Sequence, residues 1–376
     1  MKRDTPERQV LRERANGNMQ LDTLNTFLVE TVKHTATDLH ICVGSQPLMR
    51  VNSKLENIPG TSVLSAEDVS NIVGESLDPA KMETLQKNKT VDFSYSKSGL
   101  GRFRCNIYKQ RGTYAIAVRM LPLSIPAFST LGLPETVLQF IKKTRGLVLF
   151  TGSTGCGKST TLAALTDMIN NEYSDHILAI EDPIEYLHRH NKSLVTQREI
   201  GEDAESFASA LRSALRQDPD VIIVGEMRDQ ETIAIALSAA ETGHLVFSTL
   251  HTIGAVKTID RILDSFPTDQ QNQTRSQLAA VLEGIVSQHL LPKRSGEGLV
   301  PACEVMVATP AVRNLIREGK HYQINNIIQT GKDSGMCSLD RNLAELAAKG
   351  VVDEKIARIK AQDIRLFEQY LNLAKR

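Results

Sequence analysis

An apolar run of strand type, Leu147-Val-Leu-Phe150, ends in the pattern G-x-x-x-x-G-K-S, Gly152 to Ser159. It continues into a helix-like stretch from Thr160 to Ile169. Strand, glycine-rich turn and helix in that order predict a loop that cradles phosphate. Gly152, Gly155 and Gly157 let the backbone bend and come close to a phosphate chain, where a Cβ would often intrude. N–H groups at the helix start then point at the anion, and the helix dipole favours its negative charge. Gly152, Ser153, Thr154, Gly155, Cys156, Gly157, Lys158, Ser159 and Thr160 are therefore expected to line a nucleoside triphosphate. Lys158 would reach the β- and γ-phosphates, and the Ser159 hydroxyl would be a Mg²⁺ ligand. Cys156 needs only to be small.

The rest of the chain is organised around that loop. With 376 residues there is room for two domains, each with its own core. Residues 1–18 are charged and poor in apolar side chains, and read as a mobile extension. Leu21, Leu24, Phe27, Leu28 and Val32 have helical spacing. Short strands follow at Asp38–Val43 and Leu48–Asn52, then a helix over Ala66–Val73 with Ser65 as its N-cap. Val91–Tyr95, Gly101–Tyr108 and Thr113–Leu121 alternate as strands do, so residues 19–121 predict an α+β domain with an antiparallel sheet. A proline-containing linker spans 122–128. Over 129–352 the rhythm changes to central-strand runs at Leu147–Phe150, Ile177–Ile180, Val221–Val224 and His244–Thr249, with helices between them. That pattern predicts a parallel sheet covered on both faces. Beyond Arg275 the pattern reads as helical, through Leu278–Leu290, Ala311–Glu318 and Ser338–Lys349, and residues 353–376 form a helical tail.

Hydrolysis of a triphosphate needs carboxylates to hold the metal and orient the attacking water. Open α/β sheets bind ligands at the carboxyl ends of their strands, and two such ends are acidic. One carries Glu181, Asp182 and Glu185; the other carries Glu226 in Gly225-Glu-Met-Arg-Asp229. A common Asp-Glu pair has become Gly225-Glu226 here, so the first cluster is expected to supply the second carboxylate. A third strand ends in Ser248-Thr-Leu-His251, which aims Thr249 and His251 at the same edge as Glu226. Arg102, Arg104, Arg111 and Arg119 lie on or beside strands of the first domain, either as solvated charges or as groups acting on a neighbouring subunit's nucleotide.

Lys+Arg and Asp+Glu both number 44, and Trp is absent, which disfavours a nucleic-acid motor with a basic face and stacking aromatics. No apolar run approaches a bilayer span, and the amino end lacks the apolar core of a secretory signal. The five cysteines are scattered without a C-x-x-C pair, so neither a zinc knuckle nor a disulfide framework is expected. These features predict a cytoplasmic protein.

Several segments together resemble the PilT family of type IV pilus retraction motors, within the secretion ATPases. The likeness covers about residues 20 to 350. Ile180-Glu-Asp-Pro-Ile-Glu185 resembles the family's Asp box, Val224-Gly-Glu-Met-Arg-Asp229 its Walker B segment, and Ala240–Phe247 with Leu250-His-Thr252 its His box. Ala311-Val-Arg-Asn-Leu-Ile-Arg-Glu318 is similar to the family's retraction-linked A-I-R-N-L-I-R-E segment, with Val312 in place of Ile. The resemblance implies a PAS-like amino-terminal domain, a RecA-like P-loop core, ATP and Mg²⁺ as cofactors, and a homohexamer. It also implies Glu226 as catalytic glutamate, Glu181 and Glu185 assisting, and Glu226 and Glu185 near the metal. By strand geometry His251 and Thr249 would sense the γ-phosphate, and the resemblance implies that first-domain arginines, Arg104 and Arg119 among them, complete a neighbour's site. The partner implied is the inner-membrane platform of the pilus machine, which puts the protein at the inner face of the cytoplasmic membrane. A PilU-like accessory retraction motor, or a pilus-assembly or type II secretion ATPase, is the alternative. The assembly relatives usually carry a tetracysteine zinc insertion, and these cysteines offer none.

Overall fold

The computed structural model describes residues 23–52, 54–122 and 124–375. The extension expected over residues 1–18 lies outside them. The chain divides into two compact units, one up to residue 123 and one from Ser124 onward.

The first unit is a six-stranded antiparallel sheet with helices. Helix α1 (Thr23–Lys33) precedes β1 (Asp38–Cys42), β2 (Leu48–Val51) and β3 (Lys54–Asn57). Helices α2 (Ala66–Ser76) and α3 (Pro79–Asn88) come next, then β4 (Thr90–Lys97), β5 (Gly101–Gln110) and β6 (Thr113–Met120). The strand order is β3-β2-β1-β6-β5-β4. Alternation puts Phe103, Cys105 and Ile107 of β5 on the buried face, where they meet Leu28, Leu39 and Ile116. A fully buried phenylalanine such as Phe103 contributes roughly 1.5–3 kcal/mol. Ser65 caps α2 as its sequence predicts, in a capping box with Asp68. Sequence periodicity does not predict β3 or α3. All four β3 residues are exposed, and Leu85 alone is buried in α3, so neither has an apolar stripe to detect. Asp78 and Pro79, as N-cap and first helical residue, are the local signal for α3.

In the second unit the strands are β7 (Gly146–Thr151), β8 (His176–Glu181), β9 (Leu194–Glu199), β10 (Val221–Val224), β11 (Leu245–Leu250), β12 (Leu282–Pro292) and β13 (Leu299–Val307). They form one sheet in the order β13-β12-β7-β11-β10-β8-β9, parallel except for β13, which runs antiparallel to β12. Leu147 and Leu149 of β7 join one core cluster, Val148 and Phe150 the other. Ile222 and Val224, against Val221 and Ile223, repeat this on β10, so both faces are covered and the runs are continuously apolar. Helices α4 (Lys158–Glu172), α5 (Phe207–Ala214), α6 (Gln230–Glu241), α7 (Ala255–Asp264) and α8 (Gln271–Val281) lie between the strands.

The helical reading of Leu278–Leu290 is corrected by the structure: α8 stops at Val281, and β12 occupies the following eleven residues. The sheet is accordingly mixed. Leu282-Glu-Gly-Ile-Val-Ser-Gln-His-Leu-Leu-Pro292 is buried on both sides over most of its length, so period-2 alternation is absent and an apolar run reads equally as buried helix. Gly284 marks the strand: a Cβ there would stand 2.2 Å from Phe140 Cζ. Strands β9 and β13 also go unread in the sequence.

Helix α9 (Pro310–Arg317) carries the retraction-linked segment, with Thr309 as N-cap and Val312 and Ile316 buried. Arg313 Nη1 donates to Ala279 O and Ala280 O at the end of α8, and its guanidinium also pairs with Glu283 at the start of β12. Helices α10 (Ile324–Thr330), α11 (Leu339–Ala348), α12 (Glu354–Lys360) and α13 (Ile364–Ala374) complete the unit, the last packing Phe367 and Leu371 against Leu343. No helix among the described residues is long and apolar enough to cross a membrane.

Candidate active site

The glycine-rich loop leaves β7 at Thr151 and enters α4 at Lys158. Gly152 has φ +139°, and a Cβ there would lie 2.4 Å from Gln288 O and 2.6 Å from Cys156 Sγ. Cys156 is buried, with its Sγ on the side a Gly152 Cβ would take. Gly157, at φ +94°, is the N-cap of α4, which leaves the first N–H groups of that helix without a side-chain cap. Lys158 is only 8% exposed, and its Nζ donates to Gly152 O at 2.8 Å and Ser153 O at 3.2 Å. Ser153 and Thr154 are exposed, Ser159 is half-buried, and Thr160 Oγ1 lies 3.0 Å from Tyr186 Oη. The loop is thus an anion cradle with a cation folded onto its own carbonyls.

Parallel registry brings the acidic strand ends to the same edge. Val224 of β10 pairs with Ile180 of β8 and with Ser248 of β11, and Leu250 of β11 pairs with Thr151 of β7. Ser248 Oγ donates to Val224 O and Thr249 Oγ1 to Gly225 O, stitching the ends of β10 and β11. Gly225 fits where a larger residue would crowd: its Cβ would stand 3.1 Å from Ile180 O and 3.3 Å from Glu181 Cα. That close approach accounts physically for glycine where an aspartate is common.

Glu226 lies just beyond, its side chain 12% exposed. His251 Nε2 is 3.2 Å from its Oε2, and the Arg228 guanidinium hydrogen-bonds its Oε1. Pairing with Glu226 holds the Arg228 guanidinium above its ordinary range. Arg228 Nη1 also lies 4.0 Å from Asp182 Oδ2. Glu181 is half-buried and accepts from Gln197 Nε2 at 3.0 Å, while Glu185 sits half-buried in the loop after β8. Among the described residues no hydrogen bond or ion pair joins Glu181 or Glu185 to Glu226.

Arg104 and Arg119 belong to the first unit, directly opposite each other on β5 and β6. Like charges in that position repel, and Arg119 Nε is drawn instead to Asp38 Oδ1 at 3.1 Å. Arg104 is exposed and makes no ion pair among the described residues.

Three further residues support the edge and go unread in the sequence. Gln288 of β12 is 1% exposed; its Nε2 donates to Thr161 Oγ1 at 3.0 Å, and its backbone oxygen is the one facing Gly152. Ser287 Oγ accepts from Gly254 N at 3.0 Å, and Glu304 Oε1 of β13 accepts from Ala255 N at 2.7 Å. Together Ser287 and Glu304 anchor the start of α7, four residues beyond His251. A polar residue inside an otherwise apolar strand run is the signal that marks each of them. Burial pushes the Glu304 carboxyl above the usual range, offset in part by the Ala255 N–H. A buried acid with a raised value costs stability increasingly as pH rises from the ordinary glutamate range through the folded value. Glu304→Gln keeps the acceptor without the charge and is expected to be at least as stable as the native chain at pH 7. Glu304→Ala is expected to lose about 1–3 kcal/mol. Thermal melts between pH 4 and 7 check both, and a native-minus-Gln difference that does not vary with pH would refute the assignment.

The model of the Type II/IV secretion system protein family matches residues 88–360. A twitching motility protein of Neisseria gonorrhoeae is 46% identical over 317 residues, 84% of this chain and 84% of that protein. The type IV pilus retraction ATPase PilT of Pseudomonas aeruginosa is 44% identical over 339 residues, 90% of this chain and 98% of its own length. A crystal structure of the pilus retraction motor PilT with bound ADP superposes with a TM-score of 0.87 at 44% identity, covering 93% of this chain and 100% of that one. The family match spans most of the second unit and the relatives cover both units, so the chain belongs to the Type II/IV secretion system protein family and, within it, to the PilT family.

Proposed function

We propose that this chain is an ATP-hydrolysing motor that drives type IV pilus retraction, and with it twitching motility, as a homohexamer. The observation that carries the reading is one sheet edge holding both an anion cradle with Lys158 and a nearly buried carboxylate, Glu226, oriented by His251. Likeness in sequence and structure to pilus retraction motors over nearly the whole chain supplies the mechanical context.

The loop residues fit the phosphates of a nucleotide. Gly152 leaves no room for a Cβ against Gln288 O and Cys156 Sγ, so the loop can pass close to β12, and Lys158 offers a charge to phosphate in place of the loop carbonyls. The hydroxyl of Ser159, with Glu226 and Glu185, would hold Mg²⁺, which when bound neutralises phosphate charge. Glu226 accepts a hydrogen bond from the attacking water and orients it, while His251 fixes the carboxylate and links it to the β11 end. Glu181 ends β8, the strand paired with β10. Arg104 and Arg119 of a neighbouring copy supply positive charge to the site from outside. Cycles of ATP binding and hydrolysis in the ring would work against the inner-membrane platform of the pilus machine, at the inner face of the cytoplasmic membrane.

Turnover per chain should rise with concentration as rings form, followed by light scattering alongside the ATPase assay. Arg104→Ala and Glu226→Gln chains, each nearly inactive alone, should regain turnover when mixed, because one ring interface then combines an intact arginine with an intact glutamate. Full turnover from monomers, or no recovery on mixing, would overturn the shared site.

A further inference from the structure

Glu226 does not stand free. Its Oε1 accepts from the Arg228 guanidinium and its Oε2 lies beside His251 Nε2. With the side chain 12% exposed and a donor already on each oxygen, little of the carboxylate is left for water. A charge-assisted bond from a guanidinium is also among the stronger ones a carboxylate makes, so it competes well with a water donor.

Arg228, by contrast, is 65% exposed, and its other terminal nitrogen stands 4.0 Å from Asp182. One guanidinium therefore sits between acids from two adjacent strand ends, bonded to one and only near the other. β8 and β10 are hydrogen-bonded neighbours, whereas Asp182 belongs to the loop that leaves the sheet after Glu181. A shift of that loop towards Arg228 would make Asp182 the nearer partner. Solvent screens the exposed guanidinium, so the cost of exchange falls mainly on Glu226, which keeps His251 beside its other oxygen.

We propose that Arg228 is a positioning residue that withholds Glu226 from water while paired with it, and frees it by transferring to Asp182. This rests on the hydrolysis reading above and adds a control to the same site. With Arg228 on Asp182, Glu226 Oε1 is open to the attacking water, and His251 still orients Oε2. Asp182 acts as the receiving group and does not touch the reacting atoms.

The test compares steady-state ATP turnover for the native chain, Arg228→Gln, Asp182→Asn and the double variant, with nucleotide titration and a thermal melt for each. Arg228→Gln is expected to raise kcat on the order of two- to fivefold with KM unchanged, the factor a partly exposed ion pair is worth. Asp182→Asn should lower kcat by a similar factor. The double variant should turn over like Arg228→Gln, because without the guanidinium there is nothing for Asp182 to receive. A purely structural loss would lower kcat in every variant and leave the Asp182 effect the same in both backgrounds, and that result would overturn the proposal. Arg228→Lys, which keeps the charge and loses the planar fork, should fall between native and Gln. Absence of turnover in the native chain in every assembly state would overturn the hydrolysis reading, and this proposal with it.

Discussion

Glu226→Gln is expected to reduce kcat by roughly 10²- to 10⁴-fold, which is the usual worth of a positioned general base. At about 1.36 kcal/mol per factor of ten, that is about 3–5 kcal/mol of transition-state stabilisation. The amide keeps the shape and can still accept from Arg228, but it no longer draws a proton from the water. Nucleotide affinity is set mainly by the loop and Lys158, and the amide oxygen of Gln can still face the metal held by Ser159 and Glu185, so KM and the dissociation constant of a fluorescent ATP analogue should stay within about threefold. Folding should also survive. Arg228 is largely exposed, and loss of a screened ion pair is worth at most about 1 kcal/mol. Single-turnover assays separate these effects. A Gln variant that hydrolyses at the native rate would remove Glu226 from the chemistry and leave the carboxylates of the β8 end to be tested in its place.

The second large effect is expected at Gly152. At φ +139° the position is one that L side chains rarely adopt, and the added Cβ of Gly152→Ala would sit 2.4 Å from Gln288 O. Backbone strain alone costs about 1–3 kcal/mol. The opposing oxygen belongs to a strand held between β7 and β13, so it cannot step aside. The loop must move instead, and with it the N–H groups and Lys158 that would face phosphate. Nucleotide binding should fall by about a hundredfold or more, and Tm by several degrees at about 2–4 °C per kcal/mol for a unit of this size. Gly155→Ala is the control. It also has positive φ, at +78°, yet a Cβ there meets nothing within 4 Å, so it should cost about 1–2 kcal/mol and spare much of the affinity. Equal losses at the two positions would show that left-handed strain, and not the approach of Gln288, sets the requirement.

Much of the second unit was legible in the chain because its signals are contiguous. The loop from Gly152 to Ser159 lies between a strand run and a helix run, and the apolar strands β8, β10 and β11 each end in polar residues at one edge. Parallel sheets put such ends together as a matter of topology, so Glu226, Thr249 and His251 could be expected as neighbours before any distance was known. Reading failed where burial on both faces erased periodicity, in β12 and β13, and where exposure on both faces did so, in β3. In each case the alternation that distinguishes a strand was missing for a physical reason.

What only the tertiary structure decided are the contacts between segments distant in sequence. Gln288 reaches Thr161 across 127 residues, and Glu304 holds the amide of Ala255 across 49. Both depend on β12 and β13 lying beside β7, which no local pattern states. The partners of Arg228 were undetermined for a related reason. A long charged side chain on a strand end has several acids within reach, and which one it takes depends on how β8 and β10 are aligned. Sequence by itself determined the phosphate loop and the edge at which chemistry would gather, because backbone conformation and strand direction follow from adjacent residues. Packing determined which side chains hold that edge in place, because close approach and burial arise only when separated segments meet.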